Sequence, residues 1–482
     1  MSHRKLLAKR IGLVGVSNLL LVLNSIILLP ILTKNLSISE YGIWVQIMVT
    51  ITLIPAIALI GLPYSMVRFL ASAKDKNEIR DILYSIATII FIAAFIISFI
   101  IFLLSVPLAS ALFDGNAYVV RLLSSIVFVE CLNNTTLNYF RASQQIKKYA
   151  AFTSFRVSLN IILVSYFVMS GCGVYGAMLG LLITAITIFL TTVAVVIYEV
   201  GITIPRFKNI WNFIEFGMPT VPGNLASWIV ESSDRYIIGL MLGIAAVGYY
   251  SPGYTLGYMI ITLFMTPLSF LLPAVLSSYY DDHDIAEVKT IMRYSMRYFL
   301  VLAIPSVFGL SLLSKPLLTM LSTQEISANS YLITPFSALS ALFLGAYAVV
   351  AQVIILEKRT KIIGAIWIFA AVLNLSLNLI LVPRLGIIGA AVTTLLAYAF
   401  AFALTTHYSN RFLKFSFDLN FIIKSILASI PMSIFVVWIN PEGIDRLIIS
   451  AIIGAMIYFS ALLLLKGVNK EELSFFKDVF AI

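Results

Sequence analysis

The sequence predicts an all-α polytopic membrane protein with about 14 transmembrane helices, arranged as two six-helix lobes plus two C-terminal helices. First, 61% of the 482 residues are hydrophobic and only 11% are charged, whereas a soluble domain carries about 25% charged residues. Second, apolar segments of about 20 residues, the length that spans a bilayer, recur along the whole chain. Third, the basic residues are concentrated in alternate gaps between these segments.

The predicted spans are helical, because backbone exposed to lipid must satisfy its own hydrogen bonds. They cover residues 11–33, 41–67, 82–105, 118–140, 150–170, 174–198, 213–242, 248–279, 294–320, 330–355, 362–382, 387–410, 421–439 and 446–465.

The charge distribution predicts the orientation of these spans. If the N-terminus is placed inside, 25 Lys and Arg residues fall on the inner side, in the gaps or at the span ends next to them, and 5 fall on the outer side. Basic residues accumulate on the cytoplasmic side of membrane proteins. We therefore expect both termini to be cytoplasmic and the number of spans to be even. The two remaining basic residues, Arg156 and Arg235, lie within spans.

An internal repeat predicts the domain organisation. The segment Leu36–Trp44 matches Leu242–Tyr250 after a shift of 206 residues, which also places Asn18 on Asn224. A second match pairs residues 159–164 with 377–382. An even number of spans between the copies predicts a parallel repeat, with its axis along the membrane normal. The predicted parts are an N-terminal six-helix lobe at 1–198, a cytoplasmic linker at 199–212, a C-terminal six-helix lobe at 213–410, two extra helices at 421–465 and a cytoplasmic tail at 466–482.

Polar residues form a stripe along one face of the seventh span. A charge at the bilayer centre costs about 2.5–3.5 kcal/mol on insertion scales, so each needs a structural or functional reason. Glu231 precedes Arg235 by four residues, the favourable order for an ion pair within a helix. The stripe is therefore a self-neutralising cluster, the lining of a cavity, or both. It also contains Asn224 and Asp234.

The fourth and fifth spans carry similar stripes. Glu130 and Arg141 lie on the fourth span with three asparagines between them, and Arg156 lies on the fifth. Because consecutive spans run antiparallel, Glu130 is expected to come within reach of Arg156. This pair is either structural or part of a substrate or proton site. Asn18 marks a polar face of the first span, for which hydrogen bonding between helices and ligand contact are both open.

Several classes of function are disfavoured. The two cysteines and three scattered histidines have no metal-ligand spacing, so we expect neither a metal nor another cofactor. The basic residues lie in short gaps rather than on a folded basic face, so we expect no nucleic-acid partner. The longest polar gap, about fifteen residues, is too short for a folded catalytic domain, so we expect no enzyme activity.

Short motifs in both halves resemble those of a known family. The first half reads Leu-Pro-Ile-Leu-Thr at 29–33 and Leu-Ser-x-x-Glu-Tyr-Gly-x-Trp at 36–44, and Arg68-Phe69 closes the second span. The second half has Phe-Gly-x-Pro at 216–219, Asp-Arg-Tyr-Ile-Ile-Gly at 234–239 and Gly-x-Tyr-Ser at 248–251. Over residues 5–465 the chain resembles the polysaccharide flippases of the multidrug/oligosaccharidyl-lipid/polysaccharide superfamily.

The resemblance implies two lobes around a central cavity, in a plasma (inner) membrane. It implies a flippase that moves a polyprenyl-diphosphate-linked oligosaccharide from the inner to the outer leaflet by alternating access, for surface polysaccharide or glycan biosynthesis. The lipid bilayer and the lipid-linked glycan are the implied partners, with H⁺ or Na⁺ as candidate coupling ions. Arg235 and Arg156 would meet the diphosphate, and Arg68 and Arg141 would act at the cytoplasmic mouth.

Two alternatives within the superfamily are disfavoured. The embedded part of the first helix has no arginine, unlike the related lipid II flippases, which counts against lipid II as the substrate. A cation-coupled drug antiporter would share the fold, but it would prefer cavity carboxylates without deep arginines such as Arg156 and Arg235.

Overall fold

The computed structural model describes residues 24–73, 75–414 and 417–467. Asn18, most of the first predicted span and nearly all of the C-terminal tail lie outside these ranges. Within them the chain is all-helical, as predicted, with a helical segment at 24–35 followed by eighteen α-helices. These are α1 Ile38–Ala58, α2 Leu62–Leu70, α3 Lys76–Leu103, α4 Ser105–Leu112, α5 Ala117–Ala142, α6 Ile146–Met169, α7 Gly173–Val200, α8 Ile210–Gly217, α9 Val221–Leu242, α10 Ile244–Ile260, α11 Thr266–Asp281, α12 Ile285–Leu321, α13 Gln324–Ser330, α14 Ile333–Leu356, α15 Thr360–Leu385, α16 Ile387–Phe412, α17 Leu419–Ile439 and α18 Ile444–Leu464.

Eleven helices in the described ranges are long and apolar enough to cross a bilayer: α1, α3, α5–α7, α12 and α14–α18. The chain is therefore a multi-pass membrane protein. Of the other predicted spans, the first lies mostly outside the described residues. The seventh is divided into α8, a 3₁₀ turn at Met218–Thr220 and α9, and the eighth is divided by a π-helical turn at Ile261–Met265. The count of about 14 spans stays a prediction.

Prolines explain the division of the seventh span. Pro219 lies in the 3₁₀ turn and Pro222 in the first turn of α9. A proline has no backbone N–H and fits the first turn of a helix, where that N–H has no partner within the helix. The chain therefore ends one helix at Gly217 and begins the next at Val221.

The Leu-Ser-x-x-Glu motif is a helix start. Ser37 is the N-cap of α1, and its hydroxyl accepts a hydrogen bond from the Glu40 backbone N–H at 3.3 Å. The Glu40 carboxylate accepts from the Ser37 backbone N–H at 3.0 Å, which completes a capping box. The repeat partner of this helix, α10, begins 206 residues later, at the shift found in the sequence.

A reciprocal contact joins α1 to the start of α10. Gly42 lies against the backbone carbonyl of Ile244, and Gly248 lies against that of Ile38. Each residue of one contact is 206 positions from its counterpart in the other. A contact made twice with the roles exchanged is what a two-fold relation requires. The contact therefore supports the internal repeat, and it explains the glycines of the Tyr-Gly and Val-Gly pairs.

We predict that Gly42→Ala and Gly248→Ala both destabilise the protein. A Cβ at position 248 would lie 2.6 Å from the Ile38 carbonyl oxygen, so the backbones would have to separate. Overpacking of this kind costs about 1–3 kcal/mol. Thermal unfolding in detergent measures the loss. The control is Gly309→Ala in α12, where no heavy atom lies within 4 Å of the added Cβ. An equal loss in all three variants would contradict the contact.

The described residues divide into two compact units. Unit 1 comprises the described part of Met1–Ser251 together with Lys361–Ala397, and unit 2 comprises that of Pro252–Thr360 together with Tyr398–Ile482. In unit 1, α5 packs against α3 and α7, and α6 packs against α7. The lobe boundaries at 1–198 and 213–410 stay a prediction.

The two C-terminal helices belong to the core of unit 2. Side chains of α17 and α18, including Met432 and Tyr458, pack in one buried cluster with Phe299 of α12 and Val349 of α14. α12 makes extensive contacts with α17 and further contacts with α18. The extra helices are therefore part of the folded unit.

Arg297 of α12 contacts both helices of this pair at the end where α17 begins and α18 finishes. Its guanidinium lies 2.9 Å from the Asp418 carboxylate and 4.5 Å from the centre of the Phe421 ring. Asp418 also caps α17 by accepting from the Phe421 backbone N–H at 2.9 Å. On the far side, Arg297 donates to the carbonyl of Gly467, just beyond α18. Arg297 thus joins the start of α17, through an ion pair, to the chain just after α18, through a hydrogen bond.

Candidate functional site

Unit 1 contains a polar cavity of about 360 Å³. It lies among α1, α5, α6, α7 and the helical segment at 24–35. The apolar residues that line it are Met48, Ile51, Leu137, Val157 and Leu181. The polar residues that line it are Asn24, Glu130, Asn134, Asn138, Arg141, Tyr149, Thr153, Arg156, Asn160 and Thr184.

An ion pair between Glu130 and Arg156 crosses one wall of the cavity. The Arg156 Nη2 atom lies 2.8 Å from the Glu130 Oε2 atom. The two residues are at similar heights on α5 and α6, which the short turn at 143–145 joins in antiparallel fashion. The predicted pairing of these residues is confirmed. The Glu130 side chain is 6% exposed and that of Arg156 is 33% exposed, so the guanidinium keeps a face open to the cavity.

Asparagines line the wall formed by α5. The Asn134 amide donates to the Glu130 carbonyl at 3.0 Å, and the Asn138 amide donates to the Asn134 carbonyl at 2.7 Å. These bonds, one helical turn apart, hold the carboxamides along one face of the helix. The cavity therefore presents several neutral groups that can both donate and accept hydrogen bonds.

Two oxygens beside the cavity have no hydrogen-bond partner within the described residues. They are the Thr153 Oγ1 and Asn160 Oδ1 atoms, both buried. The Asn160 amide nitrogen donates to the Asn24 Oδ1 atom at 3.3 Å, which fixes the direction of the side chain. Buried polar atoms are usually paired, so each such exception calls for a partner from water or a ligand.

The charge of the lining is positive. Two arginines, Arg141 and Arg156, and one carboxylate, that of Glu130, are among the lining residues. Coulomb attraction is stronger in a low-dielectric interior than in water, so a net positive lining favours an anionic ligand. Arginine also binds phosphate with two parallel N–H donors. The arrangement suits a ligand that carries both phosphate and hydroxyl groups.

Arg235 lies in a second, more buried cluster in unit 1. Its guanidinium is 2.7 Å from the Asp234 Oδ1 atom, and its side chain is 10% exposed. It also donates to the Glu231 carbonyl at 2.6 Å and lies 5.3 Å from the centre of the Tyr250 ring. The Tyr250 hydroxyl donates to the other oxygen of Asp234. Both carboxylate oxygens are thus bonded, as in an internally satisfied ion pair.

The other predicted site residues lie apart from the cavity lining. Asn224 accepts a long hydrogen bond from the Tyr64 hydroxyl at 3.5 Å, and Arg68 is exposed near the end of α2. Of the predicted site residues, the cavity lining contains Glu130, Arg141 and Arg156. It does not contain the other five described ones, Arg235, Glu231, Asp234, Asn224 and Arg68. A substrate role for the latter group stays a prediction, and Asn18 lies outside the described residues.

Sequence patterns missed three of the polar lining residues, Asn24, Tyr149 and Thr184. Asn24 is off the polar face defined by Asn18, since six residues turn a helix through about 600°. Tyr149 follows Lys147 and Lys148 at the start of α6, where a tyrosine is typical of a membrane interface. Thr184 is one of four threonines in the largely apolar helix α7, and nothing in the sequence distinguishes it from the other three. Among the described residues, no three His, Cys, Asp or Glu side chains are placed to hold a metal ion.

Comparison with known protein families identifies the family of this chain. The sequence profile of a family described as polysaccharide biosynthesis protein matches residues 31–330, which is more than half of the chain. The protein belongs to this family. The resemblance found in the sequence motifs is therefore confirmed at the level of the family.

Two curated relatives are flippases by name. The chain is 22% identical, over 270 residues, to a probable low-salt glycan biosynthesis flippase of Haloferax volcanii; the match covers 55% of this chain and 57% of that protein. It is 26% identical, over 227 residues, to a probable lipid II flippase of Rickettsia prowazekii, with 43% and 45% covered. The match spans about half the length of each relative.

Two solved structures have the same fold as this protein. A lipid II flippase in an inward closed conformation superposes with a TM-score of 0.78 at 16% identity, over 97% of this chain and 98% of that chain. An inward-facing multidrug resistance MATE transporter of the MOP superfamily gives 0.70 at 15% identity, over 82% and 97%. The predicted fold class is confirmed by both.

Proposed function

We propose that the protein is a flippase, not an enzyme, and that it moves a polyprenyl-diphosphate-linked oligosaccharide from the inner to the outer leaflet by alternating access. The observation that carries this proposal is Arg156, an intramembrane guanidinium with one face open to a net positive, amide-rich cavity. Membership of the polysaccharide biosynthesis protein family and the flippase names of two relatives support it.

The two kinds of polar group in the cavity match the two parts of such a substrate. Arg156 and Arg141 supply the charge that a diphosphate needs, and carboxamides supply donors and acceptors for sugar hydroxyls. Glu130 competes with the substrate for Arg156, so re-forming the ion pair in another conformational state would favour release. Protonation of Glu130 or binding of Na⁺ would shift this competition, which makes H⁺ and Na⁺ the candidate coupling ions.

A cation-coupled small-molecule or drug antiporter is the alternative. The structural likeness to a MATE transporter favours it, since the fold is shared. The lining argues against it, because a cavity with two arginines and one glutamate repels organic cations.

Ligand-dependent thermal stability tests the proposal against this alternative. A polyprenyl diphosphate oligosaccharide should raise the unfolding temperature of the detergent-solubilised protein, because a ligand that binds only the folded state stabilises it. The uncharged, dephosphorylated lipid glycan should have a smaller effect. Stabilisation by a quaternary ammonium drug, with none by the lipid diphosphate, would favour the antiporter.

We also propose a plasma-membrane location with both termini in the cytoplasm. Cysteines introduced at Ser2, Asn209 and Asn469 should resist an impermeant thiol reagent in intact cells, because the inner gaps hold the excess of basic residues. The chain supplies a positive control, since the exposed native Cys172 lies at the opposite end of α7 and should react. Reaction at 209 with protection of Cys172 would invert the orientation.

A further inference from the structure

The connection between α7 and α8 is held against the N-terminal part of α3. We call residues 201–211 the linker strap. The Tyr84 hydroxyl donates to the Gly201 carbonyl at 2.8 Å, and the Arg206 backbone N–H donates to the Asp81 carboxylate at 2.6 Å. The Arg80 guanidinium also donates to the carbonyl of Val200. The strap is therefore fixed in position without forming a helix or strand at 201–207.

One side of the strap is apolar at its start and basic at its end. Ile202 is 76% exposed and Ile204 is 88% exposed, while the intervening Thr203 is half-buried. Alternate residues of an extended chain point to the same side. Arg206 continues that side and is exposed. Lys208 follows Phe207, whose φ of 54° ends the extended backbone, and is exposed in the turn before α8. Within the described residues, neither of these two side chains is in an ion pair.

The depth of the strap in the membrane is constrained from both directions. A segment without helix or strand cannot lie in the hydrocarbon core, where its backbone groups would lack partners. Two isoleucines exposed this far are unfavourable in water. Trp211, 75% exposed at the start of α8, is of the residue type that prefers the interface. The strap also continues directly from α7, which spans the bilayer.

We propose that the linker strap is a binding surface for anionic phospholipid headgroups of the adjoining leaflet. Ile202, Ile204 and Trp211 insert at the boundary between headgroups and acyl chains, and Arg206 and Lys208 bind lipid phosphates. The contacts with α3 order the strap in advance, so binding does not have to order the chain. Asp81, whose carboxylate accepts from the Arg206 backbone N–H, and Glu215, exposed on α8, each bring a negative charge. Arg80 of α3 brings a positive charge beside those of Arg206 and Lys208, so the net charge of these five residues is positive.

Fluorescence quenching in nanodiscs tests this surface. A bimane label is attached at Ile204→Cys in a Cys172→Ser background, in bilayers of phosphatidylcholine and phosphatidylglycerol with a nitroxide on one lipid or the other. Each basic side chain near an anionic surface contributes about fivefold, so quenching by labelled phosphatidylglycerol should exceed quenching by labelled phosphatidylcholine by at least about fivefold. The double variant Arg206→Gln/Lys208→Gln should bring this ratio to about one.

The matched control is a label at Asp282→Cys, an exposed position after α11. It should be quenched by aqueous iodide and not by either lipid. Iodide quenching at 204 as strong as at 282 would put the strap in water, and protection from both quenchers would mean that protein covers it. Equal quenching by the two lipids would remove the anionic preference. Each of these results overturns the proposal, and none depends on transport activity.

Discussion

Arg156→Gln should abolish glycan export while the protein still reaches the membrane. The substitution removes an intramembrane guanidinium that faces the cavity of unit 1, and truncating a charged partner of this kind costs about 2–5 kcal/mol, or at least about thirtyfold in binding. Arg156→Lys should restore part of the export if charge alone matters, and little if two parallel donors are needed. Export in cells that lack the native protein, normalised to its membrane level, is the measurement.

Two comparisons separate this role from a purely structural ion pair. Arg384→Gln makes the same change at an exposed position and should leave export unchanged. The double variant Glu130→Gln/Arg156→Gln removes both charges. A structural pair predicts that the double variant recovers export, because no unpaired charge is left. A substrate role predicts that it stays inactive, and its recovery would contradict our account.

Asp234→Ala should destabilise the protein more than either glycine substitution in the contact between α1 and α10. The Asp234 carboxylate is fully buried and accepts from the Arg235 guanidinium and the Tyr250 hydroxyl. Removing it leaves Arg235 buried without that partner, and breaking a buried pair on one side costs about 3–5 kcal/mol. The unfolding temperature in detergent measures the effect. Asp282→Ala, at an exposed position, should stay within about 0.5 kcal/mol of the native protein.

The same cluster permits a test of the cavity role predicted for Arg235. The double variant Asp234→Asn/Arg235→Gln removes both charges and keeps the side-chain volumes similar. Its stability should recover relative to Asp234→Ala. If Arg235 serves only the fold, as its 10% exposure favours, the double variant should also export. Loss of export in this stable variant would instead support the predicted substrate-binding role of Arg235.

The sequence predicted the helical membrane fold because lipid imposes it: long apolar runs have few stable alternatives to helices. The Glu130–Arg156 pair was predictable for a similar reason, since a short turn places two consecutive antiparallel helices side by side. The divisions in the seventh and eighth spans were not predicted. Hydropathy measures whether a segment prefers lipid, whereas a break depends on local backbone geometry around residues such as Pro219.

The polar stripes show where sequence periodicity stops being informative. The stripes of α5 and α9 look alike in sequence, and each contains at least one acidic and one basic residue. In the structure, Glu130 and Arg156 border a cavity, whereas Asp234 and Arg235 are enclosed with Tyr250. Periodicity identifies which residues share a helix face. The packing of neighbouring helices decides whether that face lines a cavity or is covered by other side chains.

Direct measurement of lipid translocation tests the central claim. Proteoliposomes are loaded with a fluorescent polyprenyl diphosphate oligosaccharide, and the fraction that becomes accessible to a membrane-impermeant quencher on the opposite leaflet is followed with time. We expect the native protein to move the lipid faster than empty vesicles, and Arg156→Gln to be no faster than empty vesicles. Translocation by the native protein no faster than in empty vesicles, with uptake of a cationic drug by the same preparation, would contradict the flippase.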